Sequence, residues 1–107
     1  MTKNEIRAKF TALRPHGFRV DTFQDRRATQ KHNGFPDVVI TKGNVFFIEI
    51  KTRNDKPSKK QLEFKEAVAS TPAVFVFATE FNCEHLVGEI VGGTLTKDRA
   101  EKYNQLT

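Results

Sequence analysis

Gly34-Phe35-Pro36-Asp37-Val38-Val39-Ile40-Thr41-Lys42-Gly43-Asn44-Val45-Phe46-Phe47-Ile48-Glu49-Ile50-Lys51 decides how the rest of the chain is read. Val38 to Thr41 and Val45 to Ile50 are β-branched and aromatic runs, and Lys42-Gly43-Asn44 between them is turn chemistry, so the stretch predicts a β-hairpin. Strand side chains alternate between faces, which puts Glu49 and Lys51 on one face with Val45 and Phe47. Whether Asp37 joins them depends on register. A three-residue loop pairs Thr41 with Val45 and Val39 with Phe47, and sets Asp37 opposite Glu49. A two-residue loop, Gly43-Asn44, throws the carboxylates onto opposite faces unless a bulge corrects the count. The first register, or a bulge restoring it, is expected. Two facing carboxylates repel, so it also implies a cation between them. Two carboxylates and an ammonium at one spot can hold a hard divalent cation with a phosphate beside it.

Pro36-Asp37, eleven residues, then Glu49-Ile50-Lys51 resembles the PD-(D/E)XK nuclease superfamily. The fuller string Gly34-x-Pro36-Asp37, Glu49-x-Lys51 and Ser58-x-x-Gln61 is similar to its VRR-NUC branch, which comprises small stand-alone phage and bacterial nucleases and modules of larger repair enzymes. The resemblance covers roughly Glu5 to Ala78. It implies an α/β fold with a restriction-endonuclease-like αβββαβ core, a mixed central sheet flanked by helices. It implies Mg²⁺, with Mn²⁺ able to substitute, on Asp37, Glu49 and the main-chain carbonyl of Ile50, with Glu5 a further candidate. Asp37, Glu49, Lys51 and Gln61 would be the catalytic set, the substrate DNA of branched or Holliday-junction type, and the assembly a homodimer. Two rivals stand beside this reading. One is a non-catalytic DNA-binding protein that keeps the nuclease fold. The other is a sequence-specific restriction-type endonuclease, for which no recognition element is visible.

Bland readings exist for each residue. Glu49, Lys51 and Asp37 could be a surface ion pair, worth about 0–1 kcal/mol. Glu5 and Gln61 both occupy the third position of a capping box, Thr2-x-x-Glu5 and Ser58-x-x-Gln61, and a side chain folded back on its own helix start is a complete structural explanation. Both readings stay open for these two. His16, His32 and His85 have no metal-ligand spacing, so zinc is not expected.

The 107 residues form one expected domain, 1–107, with 37% hydrophobic and 29% charged residues, the composition of a soluble globular protein. No run approaches the roughly 20 apolar residues of a membrane span, and the first residues carry no apolar signal-peptide region. Cys83 is the single cysteine, which points to a reducing cytosol, in a bacterial or phage-infected cell by the resemblance. The net charge of +5 favours a polyanionic partner.

Ile6, Phe10 and Leu13 predict a helix from about Lys3 to Leu13, closed by Pro15-His16-Gly17. Phe18 and Val20, with Phe23 extending the pattern, suggest a first strand. Asp25 to Gly34 reads as an exposed loop whose Arg26, Arg27 and Lys31 are candidates for DNA-backbone contact. After the hairpin, Arg53, Lys56, Lys59 and Lys60 form a second basic group, also assigned to DNA. Ser58 starts a helix with Phe64, Ala67 and Val68 on its buried face. Ala73 to Ala78 is apolar throughout, as in a strand buried on both faces. Further on, Leu86 to Val91 suggests a short strand, Gly92-Gly93 a turn, and Lys97 to Leu106 a helix.

Overall fold

A computed structural model describes residues 1–23 and 34–106. Among these residues the fold is α/β, with a four-stranded mixed sheet and four helices. In chain order these are α1 (Lys3–Thr11), β1 (Arg19–Thr22), β2 (Val38–Lys42), β3 (Asn44–Ile50), α2 (Lys59–Ala69), β4 (Val74–Ala78), α3 (Cys83–Gly92) and α4 (Lys97–Gln105), with a 3₁₀ turn at Arg14–His16. No described helix is long and apolar enough to cross a membrane.

The sheet order is β1-β2-β3-β4. β1 pairs antiparallel with β2 and β2 antiparallel with β3, while β4 returns through α2 to lie parallel to β3. The hairpin has the expected register, with Thr41 opposite Val45 and Val39 opposite Phe47. Its turn is tighter than expected. Lys42 pairs with Asn44, leaving Gly43 alone at the tip with φ +72°.

Alternation along β3 builds two cores. Phe46, Ile48 and Ile50 face a layer that holds Ile6 and Phe10 of α1 with Leu86 and Ile90 of α3. Phe47 faces the opposite layer, with Phe64 and Val68 of α2 and Phe75 and Phe77 of β4. The rings of that second layer meet edge to face, except Phe64 and Phe75, which are tilted at 48°. Phe64 lies 5.2 Å from Phe47 and 5.4 Å from Phe35, centroid to centroid. Such contacts add about 0.5–1.5 kcal/mol each beyond simple burial.

Both capping boxes form. Thr2 and Glu5 close the start of α1, and Ser58 and Gln61 the start of α2. On α2 the inward residues are Gln61, Phe64 and Val68, while Ala67 is exposed. The helical repeat from Phe64 to Val68 turns Ala67 outward, contrary to expectation. Leu86 to Val91 is not a strand but part of α3. Cys83, Leu86, Glu89 and Ile90 are its buried positions, a helical spacing.

α4 covers the free side of β4. The Asn104 side-chain amide accepts a hydrogen bond from Phe77 N–H (2.9 Å) and donates to Phe75 C=O (3.1 Å), standing in for a neighbouring strand. Glu89 of α3 ties the two last helices together. It pairs with Arg99 and accepts from Tyr103 and Thr94.

Candidate functional site

Asp37, Glu49 and Lys51 converge at the open end of the hairpin. Val38 pairs with Ile48, and one further step in that register sets Asp37 opposite Glu49. All three are buried, at 0%, 2% and 6% exposure. Such burial sets them apart from the exposed surface ion pair of the bland reading. Asp37 is held from two sides. Its Oδ2 accepts Ile50 N–H at 2.8 Å, and its main-chain carbonyl accepts Phe23 N–H at 2.9 Å. Lys51 continues the parallel pairing, its N–H donating to Ala78 C=O at 2.8 Å. The strand pairing therefore fixes the backbone beneath each charged group.

Gln61 is the keystone of the polar cluster. Its Nε2 donates to Glu49 Oε2 at 2.7 Å, and its Oε1 accepts from Lys51 Nζ at 2.6 Å. The same Oε1 accepts Ser58 N–H at 3.0 Å, the capping-box bond. Two donors converge on Oε1, which fixes the amide orientation. The capping and site readings of Gln61 are thus both true at once. Lys51 Nζ also lies 3.7 Å from Glu49 Oε2. Burial holds the Lys51 ammonium below its ordinary pKa, opposed by the charge of Glu49.

Gly34 explains how α2 reaches the site. It has φ +72°, and a Cβ there would lie 2.3 Å from Lys60 O and 2.7 Å from Gln61 N. The loop carrying Pro36 and Asp37 therefore packs against the first turn of α2 with no side chain between. Gly34 is buried, not part of an exposed loop. Expected DNA contacts at Arg26, Arg27 and Lys31 lie outside the described residues.

Sequence reading missed Arg7. Its side chain is buried, and Nη2 lies 3.9 Å from Asp37 Oδ1 while Nη1 donates to Asn4 Oδ1. Nε has no hydrogen-bond partner among the described residues. Burial pushes the guanidinium below its ordinary pKa, opposed by the Glu49 charge. A signal was present. Arg7 sits three residues before Phe10, flanking the apolar arc of α1, where a buried charge has to be matched. Arg7 and Lys51 set two positive charges of the chain itself beside these carboxylates.

The remaining candidates fall as follows. Glu5 is exposed and engaged with Thr2, whose hydrogen bonds lower its pKa. It does not join the carboxylates, since no three His, Cys, Asp or Glu among the described residues form a group. Arg53, Lys56, Lys59 and Lys60 are exposed beside the site, between Lys51 and the first turn of α2. The Lys56 carbonyl lies 3.4 Å from Lys51 Nζ. The donor set suits Mg²⁺ as two hard carboxylates beside the Ile50 main chain, because that ion keeps several of its waters. No family model, curated protein or solved structure matches the chain.

Proposed function

We propose that this protein is a Mg²⁺-dependent DNA endonuclease of the VRR-NUC type, selective for branched DNA. The observation that carries the reading is the convergence of buried Asp37, Glu49 and Lys51 at one end of the hairpin, clamped by Gln61. Among the described residues the order α1-β1-β2-β3-α2-β4 supports the αβββαβ core the motif implies. Asp37, Glu49 and the Ile50 carbonyl would hold the ion. When bound, it would supply a Lewis acid and lower the pKa of an attacking water. Lys51 would stabilise the negative charge that builds on the phosphate as one P–O ester bond breaks. Gln61 would keep Lys51 and Glu49 in fixed relation. Arg53, Lys56, Lys59 and Lys60 would follow the DNA backbone. The chain would act as a homodimer, because a single site cuts one strand per visit and a two-fold pair supplies the second.

One observation favours a second reading, a DNA-binding protein without catalysis. Arg7 and Lys51 beside Asp37 and Glu49 balance charge without a metal, as a purely structural ion cluster would. Digestion of linear, flapped and four-way DNA with Mg²⁺ or Mn²⁺ separates the two. The nuclease reading expects cleavage of a branched substrate, lost in Asp37→Ala, Glu49→Ala and Lys51→Ala with DNA binding largely kept. Binding without cleavage by the wild type would leave the second reading.

A further inference from the structure

We infer that a cavity at the carboxyl ends of β3 and β4 takes an unpaired nucleobase of the DNA substrate, stacked on Phe81. The inference rests on the DNA-cleaving reading above and gives selectivity for branched DNA a physical source. Lys51 and Thr79 directly follow the two parallel strands, and open α/β sheets hold ligands outside their strands' carboxyl ends. The cavity there has a volume of about 370 Å³, within the roughly 300–1,000 Å³ of small-molecule sites. Exposed apolar side chains gather on it. Five large ones are exposed among the described residues, and three of them, Met1, Phe81 and Leu106, line this cavity. Phe81 is 84% exposed, yet its backbone is tied down. Its N–H donates to Thr79 Oγ1 at 3.2 Å. The next residue, Asn82, accepts Thr79 N–H on Oδ1 at 2.7 Å and donates from Nδ2 to Phe77 C=O at 3.0 Å. A hydrogen-bonded turn thus presents an aromatic ring to solvent, the element on which single-stranded bases stack. Lys51 and Arg53 line the same cavity, so the phosphate attached to a stacked base meets positive charge beside the proposed chemistry. Two carboxylates of the wall are engaged, Asp55 with Lys3 at 3.5 Å and Glu80 with the Met1 amino group at 3.1 Å. A second copy seated on the patch would instead cover Lys51 from this side. Bases within a duplex are stacked on one another and cannot enter, whereas a base at a flap or branch can.

The test is fluorescence anisotropy of the whole chain in EDTA, which blocks cleavage, with a labelled single strand, a flapped duplex and a plain duplex at one salt concentration. The wild type should prefer the first two to the plain duplex. Phe81→Ala should weaken binding of those two about tenfold and leave the plain duplex unchanged. Its Tm should match the wild type's, because the ring is exposed. Phe81→Trp should keep the preference. The chain has no tryptophan, so that variant carries a lone reporter whose emission a stacked base quenches. Unchanged affinities in Phe81→Ala, an equal loss on all three DNAs, or no quenching in Phe81→Trp by a single strand that binds would overturn the inference and leave the nuclease reading standing. So would a Phe81→Ala variant that turns a dimer into a monomer with single-strand affinity kept, which would make the patch a contact between copies. A wild type that binds none of the three DNAs would overturn the DNA-cleaving reading as well.

Discussion

Gly34 and Gly43 allow one experiment to separate backbone conformation from close packing. Both have φ +72°, yet a Cβ on Gly43 would meet nothing within 4 Å, whereas one on Gly34 would lie 2.3 Å from the Lys60 carbonyl. Alanine at either position bears the left-handed conformation, about 1–2 kcal/mol. That should be the whole effect of Gly43→Ala. At Gly34 an ordinary contact of 3.4 Å requires the loop and the first turn of α2 to part by about 1 Å. Lost packing there adds to the strain, for a total of about 3–5 kcal/mol. A domain of this size holds roughly 5–15 kcal/mol, so Gly34→Ala should still fold. Its Tm should fall by about 12 °C or more, against about 4–16 °C for Gly43→Ala, so urea unfolding at fixed temperature gives the cleaner comparison. The displacement also pulls Gln61 from bonds of 2.6 and 2.7 Å to Lys51 and Glu49. Misplacement on that scale costs on the order of 100-fold in rate, which a cleavage assay at low temperature would read. Equal unfolding free energies for the two variants would refute the close-packing argument.

Gln61→Ala and Ser58→Ala divide the cap from the site. Ser58→Ala should cost about 1 kcal/mol in urea unfolding with cleavage nearly intact, whereas Gln61→Ala should lose cleavage as well. Glu89 gives a pH signature. Hydrogen bonds from Arg99 above all hold its carboxyl down at about 2, against an ordinary 4.5. A depressed carboxylate contributes stability that is full above its unfolded pKa and is lost as pH falls from 4.5 towards 2. Tm of the wild type should therefore drop across that window more steeply than Tm of Glu89→Gln. Light scattering at micromolar concentration should report a dimer, and a monomer with and without DNA would count against two-fold pairing.

The hairpin was legible because both of its signals are local. Gly43 marks the turn, and β-branched alternation fixes which residues share a face. The two caps were legible for the same reason, as Ser or Thr with Gln or Glu three residues on. α3 was misread because Val87 and Val91 favour strands and Gly88 breaks helices, while burial of Cys83, Leu86 and Ile90 against α1 and the sheet overrides that preference. At the site, strand parity put Glu49 and Lys51 on one face, and Asp37 joined them only through the hairpin register. Arg7 and the dual role of Gln61 were not legible, since both depend on where α1 and α2 dock. The contact between Gly34 and Lys60 is likewise tertiary, invisible until a helix start lies against the loop.

Asn104 has a consequence for the order in which this protein can be made safely. It closes the edge of β4 from 27 residues downstream of Phe77. A ribosome adding about 5–20 residues per second needs roughly 1–5 s to span that interval. During that delay, Phe77 C=O already has its bond from Asn82, but Phe77 N–H and Phe75 C=O still await Asn104. Neighbouring nascent chains on one message would then offer each other the same sticky edge. Shortening the chain before Asn104 should accordingly show itself first as poor soluble yield, ahead of any change at the hairpin's charged end.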